Sequence, residues 1–287
     1  PDALANNPES DGLAAEVNRN EARDQAEYFR LSSQIGKVLS SRATLQITPY
    51  IRRIDTQYMH TWEPATTPVT QGVTDTLGLL NRLYLKWNDR SSTIFGLDIE
   101  LTEFERKTEQ TRPTQVVWGT VYPQGTNLDY EVSYQSFAPY LQHTQMLTDK
   151  LTIVLGLRYE HSDYSYNNNL SMSDFSEVEP SPFLLLSDRD DRFSELLPKF
   201  SLSYALSDQH TIYARYAKGF RIPDDSDLYV LSPGQAEFEL DPETIQSFEV
   251  GYRGWLSESV SLNAAIYHGG ERRHSYGRCH TSWGYFR

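Results

Sequence analysis

The sequence predicts an all-β fold: an antiparallel, up-and-down transmembrane β-barrel segment, open or partial, with short periplasmic turns and long extracellular loops. Three observations predict it. Apolar and polar residues alternate with period two over long stretches, the connections run short, long, short, long, and the chain is rich in aromatic residues although it is polar overall.

Composition comes first. Of 287 residues, 38% are hydrophobic, below the usual share for a globular domain, yet 13% are aromatic, led by 19 Tyr. Chains that stay disordered are polar but poor in aromatic and β-branched residues, so this pairing argues for order. The formal net charge of -13 argues against nucleic acid, whose binding rests on phosphate neutralisation by Lys and Arg. The single cysteine, Cys279, excludes an internal disulfide and a cysteine zinc cage. The longest apolar run, Phe183 to Leu186, is too short for a transmembrane helix. The chain opens at Pro1 with no Met and no basic-then-apolar leader, which reads as a processed product or a piece of a longer chain.

The strands follow from the alternation. Leu151, Ile153, Leu155, Leu157 and Tyr159 form one stripe, opposite Thr152, Gly156, Arg158 and Glu160. Phe95, Leu97, Ile99 and Leu101 oppose Gly96, Asp98, Glu100 and Thr102. Phe200, Leu202, Tyr204 and Leu206 repeat the pattern against Lys199, Ser201 and Ser203, as do Phe248, Val250 and Tyr252 against Glu249, Gly251 and Arg253, and Leu45, Ile47 and Ile51 against Gln46 and Arg52. Such a period gives strands with one apolar and one polar face. Helical periodicity is nearly absent; Gly12 to Ala26 is read as loop.

Tight polar turns fall at Ser40-Ser41-Arg42, Asn88-Asp89-Arg90, Thr148-Asp149-Lys150, Ser207-Asp208-Gln209 and Leu256-Ser257-Glu258. Between them lie long irregular stretches: Asp55 to Thr76, Glu105 to Tyr130, His161 to Arg192 and Pro223 to Leu240. In a meander, successive connections fall at opposite ends of the sheet, so all the tight turns share one end and all the long segments the other. That asymmetry is expected of an outer-membrane barrel, whereas several structureless loops beyond about 15 residues are unusual in one soluble domain. Backbone N–H and C=O groups cannot stay unpaired in hydrocarbon, so a membrane sheet pairs its edges and turns its apolar stripe to lipid. The polar stripe, with Asp98, Glu100, Arg158, Glu160, Lys199, Glu249 and Arg253, then faces the lumen. Tyr50, Tyr58, Tyr84, Tyr159, Tyr164, Tyr213 and Tyr252 are assigned to interfacial girdles. The pattern amounts to about ten strands in hairpins.

Candidate chemistry is sparse. No G-x-S-x-G, H-E-x-x-H, P-loop or G-x-G-x-x-G occurs. A hydrolase needs a serine beside a histidine, and His143 and His210 sit near turns with no serine paired by spacing. No enzyme, cofactor or metal site is therefore expected. His268, His274, Cys279 and His280 match no zinc spacing. Asp224, Asp225 and Asp227 lack the glycine and glutamate of a calcium loop and read as a solvated acidic segment. Asp188 to Arg192 reads as a charged loop. The candidate ligand-binding residues are the loop aromatics Trp62, Trp118, Tyr122, Tyr164, Tyr166 and Tyr229, since exposed rings can grip a planar or apolar ligand.

Several stretches carry a family likeness. Leu155-Gly156-Leu157-Arg158-Tyr159-Glu160 follows Ala138-Pro139-Tyr140-Leu141-Gln142 and Leu147 to Thr152. Phe193 to Phe200 reads FSELLPKF, and Ile212 to Pro223 reads IYARYAKGFRIP. Leu240 to Thr244, LDPET, precedes Phe248 to Arg253, FEVGYR; LQITPYIRR from Leu45 and FGLDIE from Phe95 add two more strands. In order and spacing these resemble the barrel of TonB-dependent outer-membrane receptors from about Glu27 to His268. The resemblance implies a barrel of about 22 strands around a plug. It also implies active uptake of an iron–siderophore or similar scarce metal complex across the Gram-negative outer membrane, with outer-membrane lipid and, through a plug, the TonB complex as partners. Neither a plug nor a TonB-contact segment is recognised before Pro1, and no run of closing strands after His268. The expected division is 1–26 as a loop before the first strand, 27–268 as partial barrel, and 269–287 as an atypical, truncated or frame-shifted tail. A small complete porin-like barrel and a soluble all-β binding protein are the other readings of the same pattern.

Overall fold

The computed structural model describes residues 23–59, 68–117, 120–170, 186–230, 240–272 and 280–282. One antiparallel sheet holds almost all of them. It comprises β1 (Arg23–Ser32), β2 (Ile35–Ser40), β3 (Ala43–Met59), β4 (Pro68–Asn88), β5 (Ser91–Gln110), β8 (Gly125–Met146), β9 (Leu151–Asn168), β10 (Arg189–Ser207), β11 (His210–Arg221), β12 (Glu243–Ser257), β13 (Val260–Arg272) and β14 (His280–Ser282). Neighbours in this sheet follow chain order, as in a meander. β6 (Gln115–Val117) and β7 (Thr120–Tyr122) form a separate hairpin between β5 and β8. The single described helix, α1 (Asp225–Tyr229), lies between β11 and β12. β1 and β2 lie end to end along β3, and together with β14 at the far side they bound the sheet among the described residues, so it is a partial barrel rather than a closed one.

The sheet is twelve-stranded where the pattern suggested about ten, because the first edge is divided into β1 and β2 and the short β14 adds a strand at the other side. The first strand begins at Arg23, inside the segment read as loop, and β13 runs on to Arg272 and pairs with β14, inside the segment read as tail. All five tight turns sit where the sequence places them. The long segments differ in character. β4 and β5 stay paired out to Pro68↔Gln110, and β8 and β9 out to Tyr130↔Asn168. The ladder therefore continues beyond the roughly 9 to 11 residues that a tilted strand needs to cross a bilayer. Polar alternation outside the apolar band still satisfies the backbone, so nothing ends the strands at the membrane surface.

Register shows which face is which. Tyr50, Gly78, Glu100 and Ser136 are successive cross-strand partners, as are Gly96, Tyr140 and Arg158. This face carries the charges. Arg158 bonds Asp98 at 2.5 Å and Glu160 at 2.7 Å, and Arg52 lies 3.5 Å from Glu100. The opposite face carries Leu155, Phe95, Leu77 and Ile266, all more than 40% exposed, and no layer of described residues covers it. Leu97 and Leu202 share that outward face with Leu155. A soluble sandwich would bury this stripe; here it is the surface offered to hydrocarbon. The girdle assignment needs correction for Tyr50, Tyr58, Tyr84, Tyr164 and Tyr213. Each shares the charged inner face, where Tyr50 and Tyr213 donate hydroxyls to Glu100 and Glu249, because their positions fall on the polar phase of the alternation.

Three inner-face tyrosines lie across a glycine directly opposite: Tyr50 on Gly78, Tyr140 on Gly96 and Tyr213 on Gly251. A Cβ at any of these glycines would fall within the ring. Prolines mark the interruptions in pairing. The β8–β9 register has no pairs at Ala138 and Pro139, and β10–β11 pairing stops at Lys199↔Ala217, beside Pro198. A proline has no N–H to give to one neighbouring strand, so it is tolerated where a ladder is already broken.

Candidate ligand-binding site

The described residues have one buried apolar cluster, and it lies on the inner face at the end remote from the tight turns. Tyr130 and Val132 of β8, Tyr164 and Tyr166 of β9, Phe193 of β10, and Leu228 and Tyr229 of α1 form it. The strands supply alternate residues, two apart and hence on one face. The helix supplies the cover. Asp224 caps α1 by accepting the Asp227 N–H, while the Asp227 carboxylate accepts the Asp224 N–H. This reciprocal cap starts a helix within an acidic segment that the sequence presented as solvated loop, and it turns Leu228 and Tyr229 inward, where they are 3% and 0% exposed.

Ring geometry is close. Tyr166 and Tyr229 stack with centroids 4.5 Å apart, Tyr134 and Tyr164 lie at 4.8 Å, and Tyr130 and Tyr166 at 5.2 Å. Polar groups fasten the cover at both sides. Tyr229 donates its hydroxyl to Asp191 Oδ2 at 3.0 Å, and Arg189 Nε donates to the same oxygen at 2.9 Å. Tyr130 donates to Asp225 Oδ2 at 3.0 Å, and Arg106 Nη1 lies 3.3 Å from that oxygen. Arg106 also bonds the Tyr58 hydroxyl. Burial, reinforced by the Asp191 carboxylate, pushes the Tyr229 phenol well above the ordinary tyrosine range. Arg106 Nε and Asn127 Oδ1 are buried with no hydrogen-bond partner among the described residues.

Of the loop aromatics picked from the sequence, Tyr164, Tyr166 and Tyr229 meet in this cluster, and they do so buried rather than as exposed rings. Tyr122 ends the separate β6–β7 hairpin. Trp62 and Trp118 lie outside the described residues. Sequence reasoning missed Arg106, Tyr130, Asp191 and Phe193. Their signal was available, since each falls on the inner-face phase of its strand; Arg106, Tyr130 and Asp191 lie in stretches read as long loops, while Phe193 opens the FSELLPKF strand. His268 and Asp224, Asp225 and Asp227 form no metal-binding group, and none occurs among the described residues. His274 and Cys279 fall outside them, and only backbone is described at His280.

A family model for TonB-dependent receptor-like β-barrels matches residues 3–269. Among solved structures, the ferric yersiniabactin uptake receptor FyuA from Yersinia pestis aligns with TM-score 0.62 and 17% identity, over 88% of this chain and 36% of its own. The copper transporter OprC aligns with TM-score 0.67 and 15% identity, over 87% and 39%. The siderophore receptor PiuA from Acinetobacter baumannii aligns with TM-score 0.64 and 14% identity, over 88% and 41%. The chain thus spans well under half the length of these three structures, and at such identities the likeness speaks to fold.

Proposed function

Because the chain belongs to the TonB-dependent receptor β-barrel family, a family of Gram-negative outer-membrane transport receptors, we propose that it forms wall and loops of a receptor for active uptake of an iron–siderophore or similar scarce metal complex. The observation that supports this most directly is the aromatic cluster on the inner face at the long-loop end. On this reading it faces a ligand arriving from outside. Arg106 Nε and Asn127 Oδ1 are buried with no hydrogen-bond partner among the described residues, so polar groups in this region have capacity left for a ligand that reorders it.

No covalent chemistry is needed for this task. Tyr164, Tyr166 and Tyr229 are the recognition surface on the wall side, joined by Tyr122 and by Trp62 and Trp118 of the neighbouring segments. Binding would lift α1 from the cluster and spend part of its energy on exposing those rings. Transfer inward would rest on a plug coupled to the TonB complex.

The test is uptake. Deleting the coding region for residues 23–272 from the bacterium that carries it should abolish cellular uptake of one complex, followed by its metal, from a panel that includes ferric citrate, ferric catecholates and copper. Unchanged uptake of every complex would refute the reading. A small porin-like barrel is the weaker reading, because among the described residues β1 and β14 do not pair. Ion conductance by the purified chain in planar bilayers would restore it.

A further inference from the structure

A second group of side chains sits on the outer face, apart from the aromatic cluster. His161 and Ser194 are direct cross-strand partners on β9 and β10. Ser194 Oγ lies 2.7 Å from His161 Nδ1, and His161 Nε2 lies 3.1 Å from Asp163 Oδ2. Arg192 Nε holds the other Asp163 oxygen at 3.0 Å, and the Tyr159 ring stacks parallel to the imidazole at 6.3 Å. An ionised carboxylate only accepts, so the ring proton belongs on Nε2, and Nδ1 is left to accept the serine proton. We propose that Ser194, His161 and Asp163 form a catalytic triad that hydrolyses carboxylic esters at the outer surface of the membrane.

The surroundings supply what such a triad needs. The apolar column of β9 runs from Leu151 to Tyr159, about the 9 to 11 residues of a membrane-crossing strand. His161 and Ser194 occupy the next outward row, at the level where lipid head groups begin. Ser194 lines an outer-face cavity of about 650 Å³, with Tyr216, Phe248 and Pro242 as apolar wall and Lys218 beside them. That volume suits a small acyl ester.

The cavity opens where β10 and β11 part. Ala205 N donates to Lys150 O, on the β9 side. Backbone donors alternate along a strand, so the donors of Ser194 and Leu196, and the one Pro198 lacks, point towards β11. β11 gives no ladder partner beyond Ala217, and Leu196 N–H turns to the Glu195 carboxylate at 3.1 Å instead. The Ser194 N–H thus faces the gap, across which Lys218 Nζ bonds Glu195 Oε1 at 2.7 Å. These two donors are placed to receive a carbonyl oxygen as it gains charge.

The chemistry closes without a cofactor. Ser194 Oγ adds to the ester carbon as its proton passes to His161 Nδ1, and the C–O bond to the alcohol breaks as His161 returns that proton to the leaving oxygen. Water then attacks the acyl-serine, giving its proton to His161 and regenerating Ser194 with release of the acid. Spacing alone could not reveal the pair, because only the β9–β10 register joins two residues 33 positions apart.

The experiment uses the chain solubilised from outer membranes, with p-nitrophenyl butyrate as soluble ester and phosphatidylethanolamine vesicles as lipid ester. Ser194→Ala and His161→Gln should each lower turnover by about 10²-fold or more, with no further loss in the double variant, as expected of groups that act as a unit. A fluorophosphonate should label Ser194 in the unaltered chain and label it far more slowly in His161→Gln. Turnover of vesicles only would assign a membrane lipid, and turnover of butyrate only a soluble ester. Rates equal to those of Ser194→Ala on both substrates, with no adduct on Ser194, would overturn the proposal. The uptake reading is tested by metal uptake and is unaffected by either result.

Discussion

Asp225 of α1 and Arg106 of β5 form an ion pair at 3.3 Å across 119 residues of chain, and the Tyr130 hydroxyl donates to the same carboxylate oxygen. This contact ties the β11–β12 connection to the inner wall. Both side chains are largely screened from water, at 15% and 29% exposure, so the pair is more than a surface contact.

Breaking that tie should free the helix. A hydrogen bond to a charged group is worth about 1.5–3 kcal/mol, so Asp225→Ala should raise the chymotryptic cleavage rate after Leu228 and Tyr229 by about 10-fold or more. Fragment mass spectrometry reads the rate. Cleavage at the rate of the unaltered chain would show that stacking alone holds α1.

Stacking and hydrogen bonding at Tyr229 can be separated. Tyr229→Phe keeps the ring on Tyr166 and removes the bond to Asp191, at a cost of about 1 kcal/mol. Tyr229→Ala empties a fully buried site, at about 3–5 kcal/mol. Denaturant titration of the detergent-solubilised chain should rank them in that order.

The tyrosine-over-glycine pairs predict a non-additive result. Gly78→Ala drives a methyl group into the Tyr50 ring and should cost about 1–3 kcal/mol by overpacking. Adding Tyr50→Ala removes the obstacle, so the double variant should be more stable than the sum of the two single changes implies, by urea unfolding. Additive losses would mean that the ring simply rotates away.

Alkaline pH should loosen the same cluster. The folded state holds the Tyr229 phenol neutral by burial beside Asp191, raising its pKa above that of the unfolded chain. Its contribution is therefore whole below about pH 10, the ordinary tyrosine value, and is lost as pH climbs from there. Ultraviolet difference absorbance should show late-ionising tyrosinates in the unaltered chain, with the late amplitude smaller by one tyrosine in Tyr229→Phe.

Much of the wall was legible from alternation alone. The stripe at Leu151, Ile153, Leu155 and Leu157 and the polar phase at Arg158 and Glu160 fixed which side meets lipid, because side chains on a strand alternate strictly. The tight turns at Asn88 to Arg90 and Ser207 to Gln209 fixed direction and neighbour order, because short connections force adjacent antiparallel pairing. The ends of the strands were less legible. Beyond the apolar band, Glu105 to Gln110 and Ser162 to Asn168 carry no outward hydrophobic stripe, yet pairing continues because each backbone group still needs a partner.

What the sequence by itself determined is the sheet, its order and its two faces, all of which follow from local period and turn length. What only the tertiary structure decided is where distant residues meet. Arg106 reaches Asp225, Tyr166 stacks on Tyr229, and His161 faces Ser194 because register across strands, and a helix folded back on the wall, set those distances. Register is a property of paired backbones and packed rings, and no spacing within one strand encodes it.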